Sequence, residues 1–368
     1  MITLTHVSEG LRMFRRNLRV RKKGFRQYPG DASSICNHVI KDCWNGSFLQ
    51  TSAGHFKQFY SRDLGWCTDA LLGLGHKEEL KKTVLYALDK FKRHGEITVA
   101  ITPKHKPFNF PDFYSIDSVA YFFRTVKRVS PELLRQHKDF FNNQLQILFE
   151  KAIDKDTGLV KRGVYFSSMK DYALRQSSCY DNVMLAMLAD ELKGLPLDNP
   201  LKDYNYRTII KDNFWTGGYF LNDLSGNKDV TGDSNIYPFW FGLFGDKMLR
   251  SSIAAVQQQK LDKPFPLRYV NHPSRSHKML WIELFVKHWE QHQVWPQMGF
   301  VYIDLLRKID KEKAKLHLDQ YTDKIEENRN FIELYNTDGT PYSTVWYSCD
   351  ESLLWASMYL DLKKKLKA

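Results

Sequence analysis

Three short segments of this sequence set a carboxylic acid among aromatic and small polar residues. They are Tyr60-Ser61-Arg62-Asp63-Leu64-Gly65-Trp66, Gln176-Ser177-Ser178-Cys179-Tyr180-Asp181-Asn182 and Phe331-Ile332-Glu333-Leu334-Tyr335-Asn336. Carboxyl groups from well-separated parts of a chain are what hydrolysis of a glycosidic bond requires. One is protonated and donates to the leaving oxygen; the other is ionised and activates a water across the bond. Aromatic faces beside Asp and Asn suit a sugar, which presents an apolar C–H face and a hydroxyl rim. Phe214-Trp215, Tyr237-Pro238-Phe239-Trp240 and Trp346-Tyr347 sit in such polar surroundings, in a chain that is 14% aromatic. Each feature also has a plainer reading. Arg62-Asp63 can be a salt-bridged helix cap, and Asp181 a first-turn acid answering a helix dipole. Residues 331–336 can be a short strand ending in a turn, and any single aromatic can be core.

Other chemistries lack their motifs. There is no GxxxxGK[ST] loop, GxGxxG, HExxH, GxSxG or EF-hand pattern. The twelve histidines are scattered, and His272 and His277 do not form a ligand set, so no metal and no cofactor is expected. The five cysteines (Cys36, Cys43, Cys67, Cys179, Cys349) are odd in number and contain no CxxC, which argues against a disulfide framework or structural zinc.

The 368 residues correspond to one large domain or two small ones. With 43% hydrophobic and 26% charged residues the composition is that of a globular protein, excluding disordered, collagen-like and coiled-coil chains. No apolar run approaches the roughly 20 residues that cross a bilayer. The N-terminus has no apolar h-region, which makes a reducing cytoplasm the default expectation. The net charge of +12 is concentrated: Arg12 to Arg26 holds eight cations and no anion, and the rest of the chain carries only +4. Such a run could meet nucleic acid or an anionic membrane. A solvated arm, or a first helix with a charged face, is the preferred reading because no nucleic-acid-binding motif follows it. Neither a nucleic-acid nor a membrane partner is expected.

Helical periodicity recurs and supplies the elements that must position these residues. Helices are predicted at Asp69 to Leu74 and Glu78 to Lys92, joined around Gly75, and at Ile116 to Lys127. Ser130 and Pro131 then read as N-cap and first residue of a helix reaching Ala152, which stops at Asp154-Lys155-Asp156-Thr157-Gly158. Further helices are predicted at 181–192, 234–244, 247–258, 276–291, 299–308, 311–328 and 352–365. Strand-like pieces are few, at 163–166 and 218–221. The pattern predicts one all-α domain of successive helical hairpins. About six hairpins in a ring would gather their connecting loops, and the unusual residues on them, into a cleft at one end. The domain reading is a basic segment over 1–28 and a single ring domain over 29–368.

In this order the segments resemble a family. An RD-W segment ahead of a hairpin, an S-x-x-D-N segment mid-chain and an E-x-Y-N…G segment before a Trp-rich final helix are similar to those of the six-hairpin (α/α)6 glycosidases. Mannosylglycerate and glucosylglycerate hydrolases, processing α-glucosidases and neutral invertases look most alike. Phe214 to Phe220 and Asp233 to Pro238 resemble the middle of that family, and the likeness runs from about Phe59 to Leu360. It implies an (α/α)6 toroid and an inverting glycoside hydrolase acting on an α-linked glucoside or mannoside. By the match to Ser-Gly-x-Asp-Asn it implies Asp181 as general acid, with Cys179 where the family has glycine. By the match to Glu-Tyr-Tyr it implies Glu333 as general base, with Leu334 replacing an aromatic. Asp350-Glu351 is the competing source of the base. Arg62, Asp63, Trp66, Tyr180, Asn182, Trp215, Asp233, Tyr237 and Trp346 would contact the sugar. Two other readings stay open: an inactive carbohydrate-binding or regulatory protein on the same ring, and a sugar epimerase, for which no convincing histidine pair is visible.

Overall fold

The computed structural model describes residues 4–272, 278, 279 and 281–367. Fourteen α-helices lie among them: α1 (Leu4–Lys23), α2 (Ala32–Cys43), α3 (Ser61–Gly73), α4 (Lys77–His94), α5 (Ile116–Val129), α6 (Glu132–Gln136), α7 (Lys138–Ala152), α8 (Cys179–Leu192), α9 (Tyr206–Phe214), α10 (Gly232–Trp240), α11 (Asp246–Gln258), α12 (Pro296–Ile309), α13 (Lys311–Asn328) and α14 (Ala356–Lys367). Helix α3 packs on α5, α5 on α8, α8 on α10, α10 on α12, α12 on α14, and α14 closes back on α3. Around this inner ring α4 packs on α3 and α5, α6 and α7 on α5, α9 on α8, and α11 on α10. Helix α13 packs on α12 and α14, and α2 on α14 and α13. The chain is thus an (α/α)6 toroid.

Local sequence assigns each helix to its layer. In α4 the buried residues Leu80, Thr83, Val84, Ala87, Leu88 and Phe91 recur every three or four positions, as a half-exposed outer helix requires. In α8 every residue from Cys179 to Leu188 is buried, whichever way it faces, and only an inner position can satisfy that. Caps fix where the inner helices begin: the Ser115 and Ser178 hydroxyls accept the amides of Ser118 and Asp181.

The remaining elements are small. Strands β1 (Phe59–Tyr60), β2 (Ala100–Ile101) and β3 (Pro107–Phe108) form an antiparallel sheet in that order. Strands β4 (Arg162–Val164), β5 (Ala173–Gln176) and β6 (Lys278–Met279) form a second.

Several expectations are corrected. Helix α3 starts at Ser61, so Arg62, Asp63 and Trp66 stand in its first two turns rather than ahead of it. Ser130 ends α5 and its hydroxyl caps nothing; Pro131 is the N-cap residue of α6, and a break at His137 separates α6 from α7. Helix α10 stops at Trp240, short of the expected Phe244, and α14 starts at Ala356 rather than Ser352. The helix expected over 276–291 is absent from its described part, where a 3-10 turn at Trp281–Leu284 leads into successive turns. Ser276 and His277 lie outside the described residues. The basic run belongs to a helix, α1, whose Arg16 is buried. Its guanidinium sits 3.4 Å from Asp350 and 3.0 Å from Glu351 and donates to the carbonyls of Ser348 and Cys349.

The ring closes tightly where α3 meets α5. A Cβ on Gly65 would lie 2.5 Å from Tyr121 ring atoms, so only glycine allows the approach. Gly65→Ala is expected to cost about 1–3 kcal/mol through overpacking, read as a lowered Tm; an unchanged Tm would mean that this contact does not set the helix spacing.

Candidate functional site

The N-terminal turns of the inner helices meet at one end of the toroid, and ion pairs and hydrogen bonds link those of α3, α5, α8 and α10. On α3 the Arg62 guanidinium lies 3.0 Å from Asp117 of α5 and 2.9 Å from Asp171. Asp117 accepts in addition from the hydroxyls of Ser115 and of Tyr180 on α8, and from the amide of Met169. Arg175 bridges Asp181 of α8 (3.5 Å) and Asp233 of α10 (3.4 Å). Six positive helix ends pointing the same way favour carboxylates, which is why buried acids collect here.

A cavity of about 430 Å³ opens between these turns, in the size range of small-molecule sites. Four acids line it: Asp63, Asp171, Glu290 and Glu333. Aromatic rings form much of its wall. Trp289 stacks on Trp295 with centroids 5.7 Å apart and lies 5.9 Å from Tyr347, while Trp66 meets Trp355 edge-on at 5.8 Å.

The acids are held differently. The Trp355 indole N–H donates to Asp63 at 2.9 Å, and burial raises the Asp63 carboxyl to about 7 against the opposing effect of Arg62. Glu290 accepts the backbone amides of Asp171 and Tyr172, and burial together with its neighbour Asp171 raises its pKa. Glu333 accepts the Tyr347 hydroxyl (2.8 Å) and the Asp350 amide (2.6 Å), both at Oε2. Burial, then the nearby Asp350 charge, raises it to about 8.

Of the residues singled out in the sequence, Arg62, Asp63, Trp66, Glu333 and Trp346 line the cavity. Asp181 does not. It faces a small adjoining pocket with Lys161, Phe166 and Arg175, cut off by the segment that leads from Phe166 to Arg175. Its Oδ1 is buried without a hydrogen-bond partner, and burial, opposed by Arg175, raises it to about 6. Asn182 is spent on structure, accepting the Val160 amide and donating to Ser177 and Ser178. Tyr180 and Tyr237 are buried against each other, ring centroids 5.0 Å apart, and Asp233 is buried beside Arg175. Trp215 packs on Phe220 beyond the end of α9, away from the cavity.

Asp350 and Glu351, the alternative bases, face away from the cavity into ion pairs. Asp350 accepts from the Ser52 hydroxyl and the amides of His55 and Phe56; burial pushes it up, but the His55 and Arg16 side chains outweigh this and keep it below the usual carboxylate range. Glu351 accepts from Arg16, Arg19, Asn330 and the Arg26 amide. The histidine pair that an epimerase would need has a near match in His288 and His292, 4.8 Å apart, but neither lines the cavity. Among the described residues no three His, Cys, Asp or Glu converge as a metal site, and no helix is long and apolar enough to cross a membrane.

Sequence reasoning passed over Asp117, Asp171 and Glu290, and named Tyr347 only as an aromatic beside Trp346. Glu290 was findable, since His288-Trp289-Glu290-Gln291 sets an acid beside an aromatic. Asp117 and Asp171 carry no such local signal.

No family model matches the sequence, and no curated protein does. Solved structures do match in fold. A wild-type glycosidase superimposes with a TM-score of 0.64 at 14% identity over 98% of both chains. The mannosylglycerate hydrolase of glycoside hydrolase family 63 from Thermus thermophilus, in complex with glucose, gives 0.62 at 12% identity over 91% of this chain and all of that one. A rhamnosidase from Klebsiella oxytoca with rhamnose bound gives 0.62 at 11% identity, covering 92% of this chain and 63% of its own.

The raised Glu333 carboxyl makes a stability prediction. Its folded pKa of about 8 lies above the ordinary 4.5, so folding favours the protonated form. That contribution is full below pH 4.5 and is lost as pH rises through 8. Glu333→Gln keeps both hydrogen bonds without the charge. Its Tm should match the parent at pH 4.5 and exceed it by several degrees at pH 9; equal Tm at both would mean an unperturbed carboxyl.

Proposed function

We propose that this chain is a glycoside hydrolase cleaving an α-linked glucoside or mannoside, a small glycoside or oligosaccharide, with inversion. The observation that carries the reading is the aromatic-walled cavity lined by three buried acids and the partly buried Asp171 at the N-terminal ends of the ring. The glucose-bound hydrolase and the other glycosidases of the same fold support it. In an inverting reaction an acid protonates the glycosidic oxygen while a base, roughly 6.5–9.5 Å away, activates water on the opposite face.

Glu333 is the base in this proposal. Tyr347 and the Asp350 amide occupy Oε2, which leaves Oε1 to hold the attacking water. Asp63 and Arg62 grip the sugar hydroxyls beside Trp66. Asp181 is the acid: it is buried, its Oδ1 is unpartnered, and its pKa of about 6 keeps part of it protonated near neutrality. For Asp181 to reach the scissile oxygen, the segment from Phe166 to Arg175 must swing aside when substrate binds. A second reading has one observation in its favour: Asp171 already lines the cavity, so the acid could come from that wall with no movement.

Purified protein incubated with mannosylglycerate, glucosylglycerate, trehalose, sucrose and short α-glucans, with the released sugar followed by NMR, tests the function. A β-anomer freed from an α-glycoside is the expected result; no release from any of them or from octyl α-glucoside and α-mannoside, by folded protein, would overturn the proposal. On the substrate found, Glu333→Gln and Asp181→Asn should each lower kcat by about 100-fold or more. A loss in Asp171→Asn but not in Asp181→Asn would move the acid to Asp171. The reacting form has Asp181 protonated and Glu333 ionised, a minor fraction of the enzyme because the base holds its proton more tightly than the acid; the kcat/KM profile should still be a bell with limbs near pH 6 and 8, which belong to the pair.

A further inference from the structure

The cavity has two chemically distinct ends. The acids described above, with Arg62 and Gln297, make one end polar. The other is built from Met13 and Phe14 of α1, Ile282, Phe285 and Val286 of the turns after α11, and Trp346. Phe14 lies 6.0 Å from Trp346, and Phe285 meets Trp346 edge-on at 5.7 Å, so three rings surround this end. Trp346 is 51% exposed; its chain neighbour Val345, and Leu284 next in the chain to Phe285, are 65% and 81% exposed. The apolar lining therefore continues outward to the mouth.

Charge points the same way. Arg62 is the one cation among the described lining residues, and its guanidinium is committed to Asp117 and Asp171. The cations of α1 do not line the cavity: Arg12 pairs with Glu9, and Arg16 and Arg19 with Glu351. What α1 turns toward the cavity is Gly10, Met13 and Phe14. Among the described residues no free cation lines the outer end to compensate a carboxylate such as that of glycerate, and burying an uncompensated charge is costly. Apolar surface entering there is favoured in proportion to its area.

We infer that the outer end is a subsite for an apolar aglycone, so that the substrate is the glycoside of an alkyl or ring-bearing alcohol rather than of an anionic one. The inference rests on the glycoside-hydrolase reading and names the substrate class of the same cavity. Leu284, Val345 and Trp346 at the mouth extend the surface for an aglycone longer than the cavity.

A series of α-glucosides and α-mannosides with methyl, butyl and octyl aglycones tests it, since these leaving alcohols differ little in basicity. The octyl compound is kept below its micellar concentration, and glucosylglycerate and mannosylglycerate are run beside it. The expected result is a rise in kcat/KM of about 10- to 100-fold from methyl to octyl, with the glycerate glycosides below the butyl compound. In Phe14→Ser and in Trp346→Ser the octyl-to-methyl ratio should fall toward one. A flat series, a preference for the glycerate glycosides, or a ratio unchanged in both variants would overturn the subsite. If no glycoside is turned over, calorimetry on the same compounds decides separately. At least tenfold tighter binding of octyl than methyl glycoside, lost in Phe14→Ser, would support the subsite while the hydrolase reading fails; equal binding would overturn it.

Discussion

The Asp350 carboxylate ties together three parts of this molecule that are far apart in the chain. It accepts from the Ser52 hydroxyl and the amides of His55 and Phe56, and it sits against the Arg16 guanidinium. One group thereby fixes the loop after α2, the helix α1 and the segment ahead of α14. Its own amide donates to Glu333, and its charge, after burial, is the largest influence raising the Glu333 pKa. A buried ion pair of this kind gains little against an apolar replacement, but removing one partner is costly, typically about 3–5 kcal/mol. The arrangement is therefore all-or-none: α1, the loop and the site acid are held together or lost together.

The same economy governs the acids at the ends of the inner helices. Asp117 is satisfied by four donors and serves as a joint between α3, α5 and α8. Glu333 and Asp63 accept fewer hydrogen bonds and line the cavity, and burial raises both carboxyls above their ordinary values. The number of donors per carboxylate separates the structural acids from the chemically available ones better than position in the sequence does.

The ring was legible because inner and outer helices differ in pattern: a stripe in α4, continuous apolar residues in α8. Asp63 and Glu333 were legible because aromatics and small polar residues surround them. Helix α2 was missed although Asp31 caps it and Ile35, Cys36, Val39, Ile40 and Cys43 repeat with helical spacing. Residues 281–291 show the opposite error. Their apolar spacing suits a helix, but Glu290 is drawn off to accept two amides of the 171–172 turn, and the segment serves as a cavity wall instead. The placement of Asp181 outside the cavity depends on how residues 166–176 lie across it, and no local pattern encodes a contact between distant loops.

The pairing of Arg16 with Asp350 and Glu351 spans more than 330 residues of chain. As the polypeptide leaves the ribosome, the helical hairpins between these points can assemble from near neighbours. The cavity cannot, because Glu333, Tyr347 and Trp355 are added long after α1, which lines it from the other side. Until then the Arg16 side chain has no buried partner and the apolar face of α1 has nothing to rest on. The cavity therefore forms only after residues 333–355 have been added, and a nascent chain stalled before residue 350 would carry most of the toroid with the cavity wall incomplete.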